Sequence, residues 1–347
     1  MAMEKINEGM TSEQRSYIER SPDVKSGRVK PLDRYSPTPA GVHQDAALTT
    51  ISLITGNPDA ANVATQAIGT TLVDNESDVY PKYDSGAFRL ADAPKRADAT
   101  PYRRGGWNVE FVRYVLEEYG FETVSTMRQQ MNASGSIDPR RKAAERASNT
   151  VRLTLAKQVA DFLTTDGNYG TVHTPSTKWD ATGGDAFDDI RDQATAIELK
   201  TGYRPNRLIV NPEVHDAIVK SAAYQNRVKN TTTNYGGTEA DIRRFIAEAC
   251  NIERYLVYNA SYNTGGEFGT ESYSWCMGKF AALIVGGDTV STDDVVHSTT
   301  LLHRNYQIQI ETYMEPQIDA EIFRAKGMWA VKGLEKEAGT LIKTPLT

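Results

Sequence analysis

Lys95, Arg96, Arg103 and Arg104 place four positive charges within ten residues of this 347-residue chain. A cluster of that kind can grip phosphate, pair with carboxylates on a partner, or face water. Asp92 and Asp98 flank it, and the only interleaved aromatics are Tyr102 and Trp107. A nucleic-acid groove needs bases that track a backbone, with stacking rings between them. Ion pairs with the acidic surface of a neighbouring subunit, or a solvated loop, fit the pattern better. Such pairs are weak singly and stronger as a repeated network.

Elsewhere, reactive residue types lack the spacing that chemistry requires. The histidines are His43, His173, His215, His297 and His303, with no i, i+4 pair, and there is no Cys-x-x-Cys; no metal site is expected. The chain has no Gly-x-x-x-x-Gly-Lys-Ser/Thr, no Gly-x-Gly-x-x-Gly after a strand and no Gly-x-Ser-x-Gly elbow. Gly265-Gly-Glu-Phe-Gly269 reads as a turn. Asp185, Asp188 and Asp189 could be drawn as a carboxylate cluster, but at a helix start they read as a cap with partners for the helix dipole. A soluble two-domain enzyme would need convergent titratable residues, and none can be named. No cofactor is expected.

The elements around the basic cluster explain its setting. From Asn75 to Trp107 the sequence is sparsely hydrophobic and carries both signs of charge. It has too few apolar residues for a core of its own, so it must be ordered against something else. Strands are predicted near Val79–Tyr83 and Val109–Val115. Asp138 and Pro139 open the strongest helix signal, running to about Thr164. Ala143, Ala147, Val151, Leu155, Val159 and Leu163 recur at steps of four along it. The absence of alternating three-and-four spacing favours a helix lying on a sheet over a coiled coil.

From Asp185 to Val285 helix and strand signals alternate, as in a separate α/β unit. Helices are predicted at Ala186–Thr201, after Asn211-Pro212-Glu213, and at Ala240–Cys250. Strands are predicted at Arg207–Val210, Tyr255–Tyr258, Ser274–Met277 and Ala281–Val285. Later, Tyr306, Ile308, Ile310 and Thr312 alternate with polar residues like a half-buried strand, and Ala320–Leu334 reads as extended and apolar. Residues 1–45 hold seven acids and seven bases, and two readings stand: a disordered tail, or an extended arm docked on another subunit. Ala46–Ile54 reads as a short helix or strand.

Bulk properties set limits. Net charge is -6 with pI near 5.5, which argues against a main affinity for phosphate backbones. Cys250 and Cys276 are the only cysteines, so no disulfide framework and a reducing compartment are expected. Neither a signal peptide nor a membrane span is recognisable.

In order and spacing the chain resembles the major capsid proteins of tailed bacteriophages, whose fold is named after phage Hong Kong 97. The resemblance covers nearly the whole chain. It rests on Tyr80-Pro-Lys-Tyr-Asp84, Phe88-Arg-Leu, Lys95-Arg-Ala97, Gly106-Trp107-Asn-Val, Asp138-Pro139-Arg, and Gly202-Tyr-Arg-Pro-Asn-Arg-Leu-Ile-Val-Asn-Pro-Glu-Val214. Phe245-Ile-Ala, Glu253-Arg-Tyr-Leu-Val257 and Ser274-Trp-Cys-Met-Gly-Lys279 extend it.

The resemblance implies an α+β fold with an N-terminal arm (1–45), a further N-terminal segment of the peripheral region (46–74) and an extended β-hairpin loop (75–115). A peripheral domain with the spine helix (116–184), an α/β axial domain (185–300) and C-terminal strands that rejoin the peripheral domain (301–347) would follow. Lys82, Arg89, Lys95, Arg96, Arg103, Arg104 and Trp107 of the loop would lie at the interface with adjacent subunits. The implied role is mechanical. Hexamers and pentamers would close into an icosahedral shell that holds double-stranded DNA, contacted weakly and without specificity. A separate scaffolding protein, a portal and a decoration protein are the implied partners. Assembly would take place in the bacterial cytoplasm, giving a virion capsid. An encapsulin-like shell around cargo enzymes is the alternative. Some family members join a loop lysine to a neighbour's asparagine; Lys82 and Lys95 lie in the right loop, but no partner can be identified.

Overall fold

A computed structural model describes residues 43–44, 58–83, 95, 98, 101, 109–133, 138–229, 238–265, 270–289 and 295–346. The element expected at Ala46–Ile54 lies outside the described residues, as does most of the 1–45 segment. Strands and helices are numbered along the chain.

Asp138 holds extended backbone, and its carboxylate accepts from the amides of Arg140 and Arg141 at 3.0 and 3.4 Å. That satisfies two of the four amides a helix start leaves open, and Pro139 removes another donor at no cost. The helix, α3, spans Pro139–Thr164; α1 (Pro58–Ile68) and α2 (Met127–Asn132) precede it. At ~1.5 Å per residue it is ~39 Å long. Its stripe from Ala143 to Leu163 is buried throughout. Burying Val151, Leu155, Val159 and Leu163 alone contributes roughly 6–12 kcal/mol before chain entropy is counted. The stripe faces a sheet, as the spacing predicts.

That first sheet is mixed and six-stranded: β1 (His43–Gln44), β2 (Thr70–Val73), β5 (Glu117–Thr126), β12 (Ser298–His303), β13 (Gln309–Glu315) and β14 (Ala320–Gly333). β14 is its backbone. One edge of β14 pairs with β13 and then β12, the other with β5, from Ala320↔Thr126 to Trp329↔Glu117. Phe323, Ala325 and Trp329 alternate toward α3 and are fully buried. A two-stranded hairpin of β3 (Ser77–Tyr83) and β4 (Val109–Val115) leaves this sheet between β2 and β5.

The second sheet has the order β6 (Thr171–His173), β15 (Gly339–Lys343), β11 (Phe280–Ile284), β7 (Arg207–Val210), β8 (Arg254–Val257). Ile209, Ala282, Ile284 and Leu341 on one face join the core beneath α3. Leu208, Val210, Ala281, Leu283 and Ile342 on the other meet α4 (Ala186–Thr201), α5 (Pro212–Lys220) and α7 (Glu239–Cys250). Helix α6 (Ala222–Lys229) follows α5, and β9 (Ser261–Asn263) and β10 (Tyr273–Trp275) form a small hairpin. Gly202 ends α4 with φ 76°, a left-handed cap that glycine adopts without strain.

Two expectations need correction. Residues 301–347 do not stay together: β12, β13 and β14 serve the first sheet, but β15 pairs with β11 in the second. Likewise β6, from the 116–184 stretch, runs parallel to β15. The sequence pattern of β15 is that of any buried strand, so only the partner across the ladder assigns it. The strand expected from Tyr306 begins instead at Gln309, because the chain turns after His303 and the Tyr306 amide bonds back to its carbonyl at 3.2 Å.

Three buried contacts tie the two sheets together. The Tyr258 hydroxyl donates to the Ala156 carbonyl of α3 at 2.6 Å. The Arg207 guanidinium donates to the carbonyls of Gln66 and Ala67, at the end of α1, at 2.8 and 3.2 Å, and to Asp288 at 2.6 Å. His297 sits where β15, the end of α3 and β12 converge, stacked on Tyr169 at 4.6 Å.

Candidate assembly surface

The hairpin β3–β4 is an antiparallel ladder from Ser77↔Val115 to Tyr83↔Val109. Its base is fixed. Tyr114, Leu116 and Leu301 form a buried cluster, against which Val73, Tyr80, Met328 and Ala330 pack. The Leu116 amide donates to the Glu76 carbonyl at 2.8 Å, and the Tyr80 hydroxyl to the Gly333 carbonyl at 3.1 Å. Burial raises the phenol pKa of both Tyr80 and Tyr114, so neither ionises near neutrality.

Opposed residues share a face, so Tyr80 and Tyr114 look toward the body while the alternate set looks away. That outer face carries Val79 at 51%, Phe111 at 68% and Val115 at 47% exposure, with Arg113 among them. Three large apolar chains in a row on a projecting ribbon are the kind of patch a soluble monomer avoids.

The loop residues fall on this ribbon and beyond it. Lys82 lies in β3 opposite Glu110. Lys95 is exposed. Arg89, Arg96, Arg103, Arg104 and Trp107 lie outside the described residues. Sequence reasoning picked out the basic cluster but missed Val79, Phe111 and Val115. The alternation in Val109-Glu-Phe-Val-Arg-Tyr-Val115 was the available signal. It also missed the acidic ground nearby: Asp74, Glu76, Asp78, Glu117 and Glu118 are all exposed around the hairpin base, and Glu110 is exposed farther along β4. The Asn75 amide and the Val79 backbone amide hold the Asp78 carboxyl below its usual range.

Buried titratable groups elsewhere serve structure. His215 lies between the Tyr255 hydroxyl at 2.8 Å and Glu239 at 3.0 Å, an arrangement that resembles a proton relay. But Tyr255 is buried and its phenol is held strongly neutral, so the trio fastens α5 to β8 and the start of α7. Asp185 caps α4 through the Phe187 amide at 2.9 Å, and Arg227 pairs with Asp185 and Asp188 at 3.3 and 3.1 Å. Asp189 accepts from the Trp179 indole at 2.7 Å. A cleft of about 760 Å³ beside Trp179 is lined by Asp180, Glu213, Asp216 and Lys220, with no histidine or cysteine in its wall. Among the described residues no group of three or more His, Cys, Asp or Glu could hold a metal ion, and no helix is long and apolar enough to cross a membrane.

Comparison with known proteins bears on this surface. Residues 110–338 match the family model described as phage capsid protein. The major capsid protein of Burkholderia phage BcepMu is 22% identical over 212 residues, 60% of this chain and 67% of that protein. Among solved structures, a phage-related protein from Bordetella bronchiseptica RB50 superposes with TM-score 0.64 at 17% identity, over 87% of this chain and 97% of that one. The capsid of cyanophage P-SCSP1u gives TM-score 0.54 at 10% identity, over 80% and 86%. The fold is therefore the mixed α+β, Hong Kong 97 type. A ribbon with an outward apolar face, a spine helix on a sheet and a family match over more than half the chain agree: this chain belongs to the phage capsid protein family and is a structural protein of the capsid shell.

Proposed function

We propose that this chain is the shell-forming subunit of a tailed phage, closing as hexamers and pentamers into an icosahedral capsid around packaged double-stranded DNA. The observation that carries the reading is the β3–β4 hairpin, anchored by Tyr114 and Leu116 at its base and bearing Val79, Phe111 and Val115 on the face turned from its own body. Covering that face against a neighbour removes apolar surface from water at roughly 25 cal/mol per Å². Folding and assembly are then linked by mass action. Arg89, Lys95, Arg96, Arg103, Arg104 and Trp107 extend the same contact, and Lys82, on the Tyr80 face of the ribbon, meets the neighbour from the other side. The first sheet with α3 acts as the peripheral domain and the second sheet with α4, α5 and α7 as the axial domain, with β6 and β15 assigned to the latter.

DNA contact is weak and non-specific, since a net charge of -6 gives little counterion release. A scaffolding protein, a portal and a decoration protein are the expected partners, with assembly in the host cytoplasm. The family match is to phage capsids, which favours this reading over an encapsulin-like compartment. Size-exclusion chromatography and negative-stain microscopy of the chain, alone and with a candidate scaffold, test it. Closed shells or capsomers are expected, with DNA in particles from infected cells. A strictly monomeric species in both preparations would refute it.

A further inference from the structure

The start of α3 breaks a local rule. A helix N-terminus carries partial positive charge, which acids in the first turn stabilise and bases oppose. Here that turn holds no acid but Arg140, Arg141 and Lys142, and Arg146 follows one turn later. All four bases are exposed, as is Arg128 on α2. The acids near them are sunk. Glu321 is 13% exposed beside Arg140 at 48%, and the one Glu145 carboxylate, 11% exposed, serves both Arg141 at 47% and Lys142 at 69%. Asp138 spends its carboxylate on the Arg140 and Arg141 amides. Arg128 and Arg146 have no carboxylate against them among the described residues. Five bases over three acids make a positive corner on a chain whose net charge is -6. A local rule broken at a cost to the fold marks a site that uses the charge.

Resting on the reading of this chain as a shell subunit, we propose that this corner, centred on Lys142 and Arg146, is where the subunit meets the phosphate backbone of packaged double-stranded DNA. The face of α3 around these two bases selects the occupant. Lys142, Arg146, Asn149, Thr150 and Leu153 follow at helical spacing along a shallow cleft of about 400 Å³. Among the described residues Leu153 is the one apolar side chain in its wall, whereas a protein partner needs an apolar core to the contact. A single strand needs rings on which its bases stack, and α3 has no aromatic residue before Phe162. A duplex needs neither, since its phosphates accept from Lys and Arg with no contact to the bases. The charge also fits a weak grip: neutralising about three phosphates gives a slope of about -3 in log K against log salt. The assignment orients the subunit, with this face of α3 turned to the interior of the shell.

Fluorescence anisotropy of a labelled DNA duplex of mixed sequence, titrated with the full-length unassembled chain, tests this. Wild-type affinity should fall between roughly 50 and 200 mM salt with that slope of about -3. Lys142→Gln/Arg146→Gln should bind roughly tenfold more weakly at the lower salt and flatten the slope by about 2, with an unchanged urea midpoint. Arg103→Gln/Arg104→Gln in the extended loop should alter neither affinity nor slope. Affinity lost in the loop variant and kept in the α3 variant would move the DNA to the loop and overturn the proposal. So would wild-type binding that is absent at roughly 50 mM salt. Tighter binding of a polyglutamate peptide than of the duplex would make an acidic protein the occupant and overturn it too. Shell formation is read separately by negative-stain microscopy. Intact shells with DNA binding unchanged in the α3 variant would refute this inference alone, whereas a chain that binds DNA through α3 but forms no shells would refute the shell reading.

Discussion

Lowering the pH should loosen this subunit, and His297 carries a separable share of the loss. Its ring is buried, stacked on Tyr169 at 4.6 Å and edge-on to Phe162 at 6.0 Å. Nε2 lies 3.2 Å from the Asn168 carbonyl. A carbonyl only accepts, so Nε2 carries the proton and Nδ1 accepts from the Ser298 hydroxyl at 3.0 Å. The neutral ring is satisfied. A second proton would place a charge in an apolar pocket, and burial pushes the pKa from 6.5 down to about 4, against a small opposing effect of the Asn168 carbonyl. The folded pKa lies below the unfolded one, so the unfolded state takes up the proton first as pH falls. The stabilisation is complete above pH 6.5, fades between 6.5 and about 4, and is level below that. At ~1.4 kcal/mol per pKa unit the loss is roughly 3 kcal/mol.

The assay is urea unfolding of unassembled subunits, followed by tryptophan fluorescence, at pH 7, 6, 5 and 4 for the wild type and His297→Gln. Glutamine does not titrate but can still donate to the Asn168 carbonyl. The variant should be less stable at pH 7, through lost stacking, yet show a shallower decline on acidification. His215, whose pKa burial also lowers against the pull of Glu239, and the carboxylates contribute to both curves, so the difference between them isolates His297. Parallel curves from pH 7 to 4 would refute the reasoning.

Four further substitutions probe the frame, and a fifth, multiple one probes the interface. Arg207→Met leaves the Gln66 and Ala67 carbonyls without that donor and should cost about 2–4 kcal/mol, read as a lower urea midpoint at unchanged m-value. Asp288, 60% exposed and held by both Arg254 nitrogens at 2.6 and 2.7 Å, should matter less when changed to Asn. Trp329→Ala removes a fully buried ring stacked on Tyr119 at 4.6 Å and an indole bond to Gln158 at 2.7 Å; a loss of about 3–5 kcal/mol is expected in the same assay. Asp138→Ala should cost about 1 kcal/mol by uncapping α3, visible as a lower thermal midpoint by circular dichroism. Reversing Lys95, Arg96, Arg103 and Arg104 to Glu should leave subunit unfolding within about 0.5 kcal/mol of wild type while shell yield, read by sedimentation, collapses; normal shells would remove this cluster from the interface.

Local rules determined much of this protein from sequence alone. Asp138, Pro139 and the steps of four fixed α3, because caps and periodicity act within one helix. Alternation placed β3 and β4, and Gly202 marked the end of α4, since only glycine takes a left-handed cap freely. Charge alone identified the loop's basic cluster. Partner choice was another matter. Nothing in the local pattern of residues 339–343 assigns them to one sheet, and pairing with β11 rather than β12 follows from long-range packing. The same holds for the side of the hairpin on which Val79 and Phe111 fall, which depends on Tyr114 finding Leu301 far along the chain. His297 and Arg207 looked ordinary in sequence. Their weight comes from burial, which strips water from a titratable or charged group and exists only once distant segments close around it.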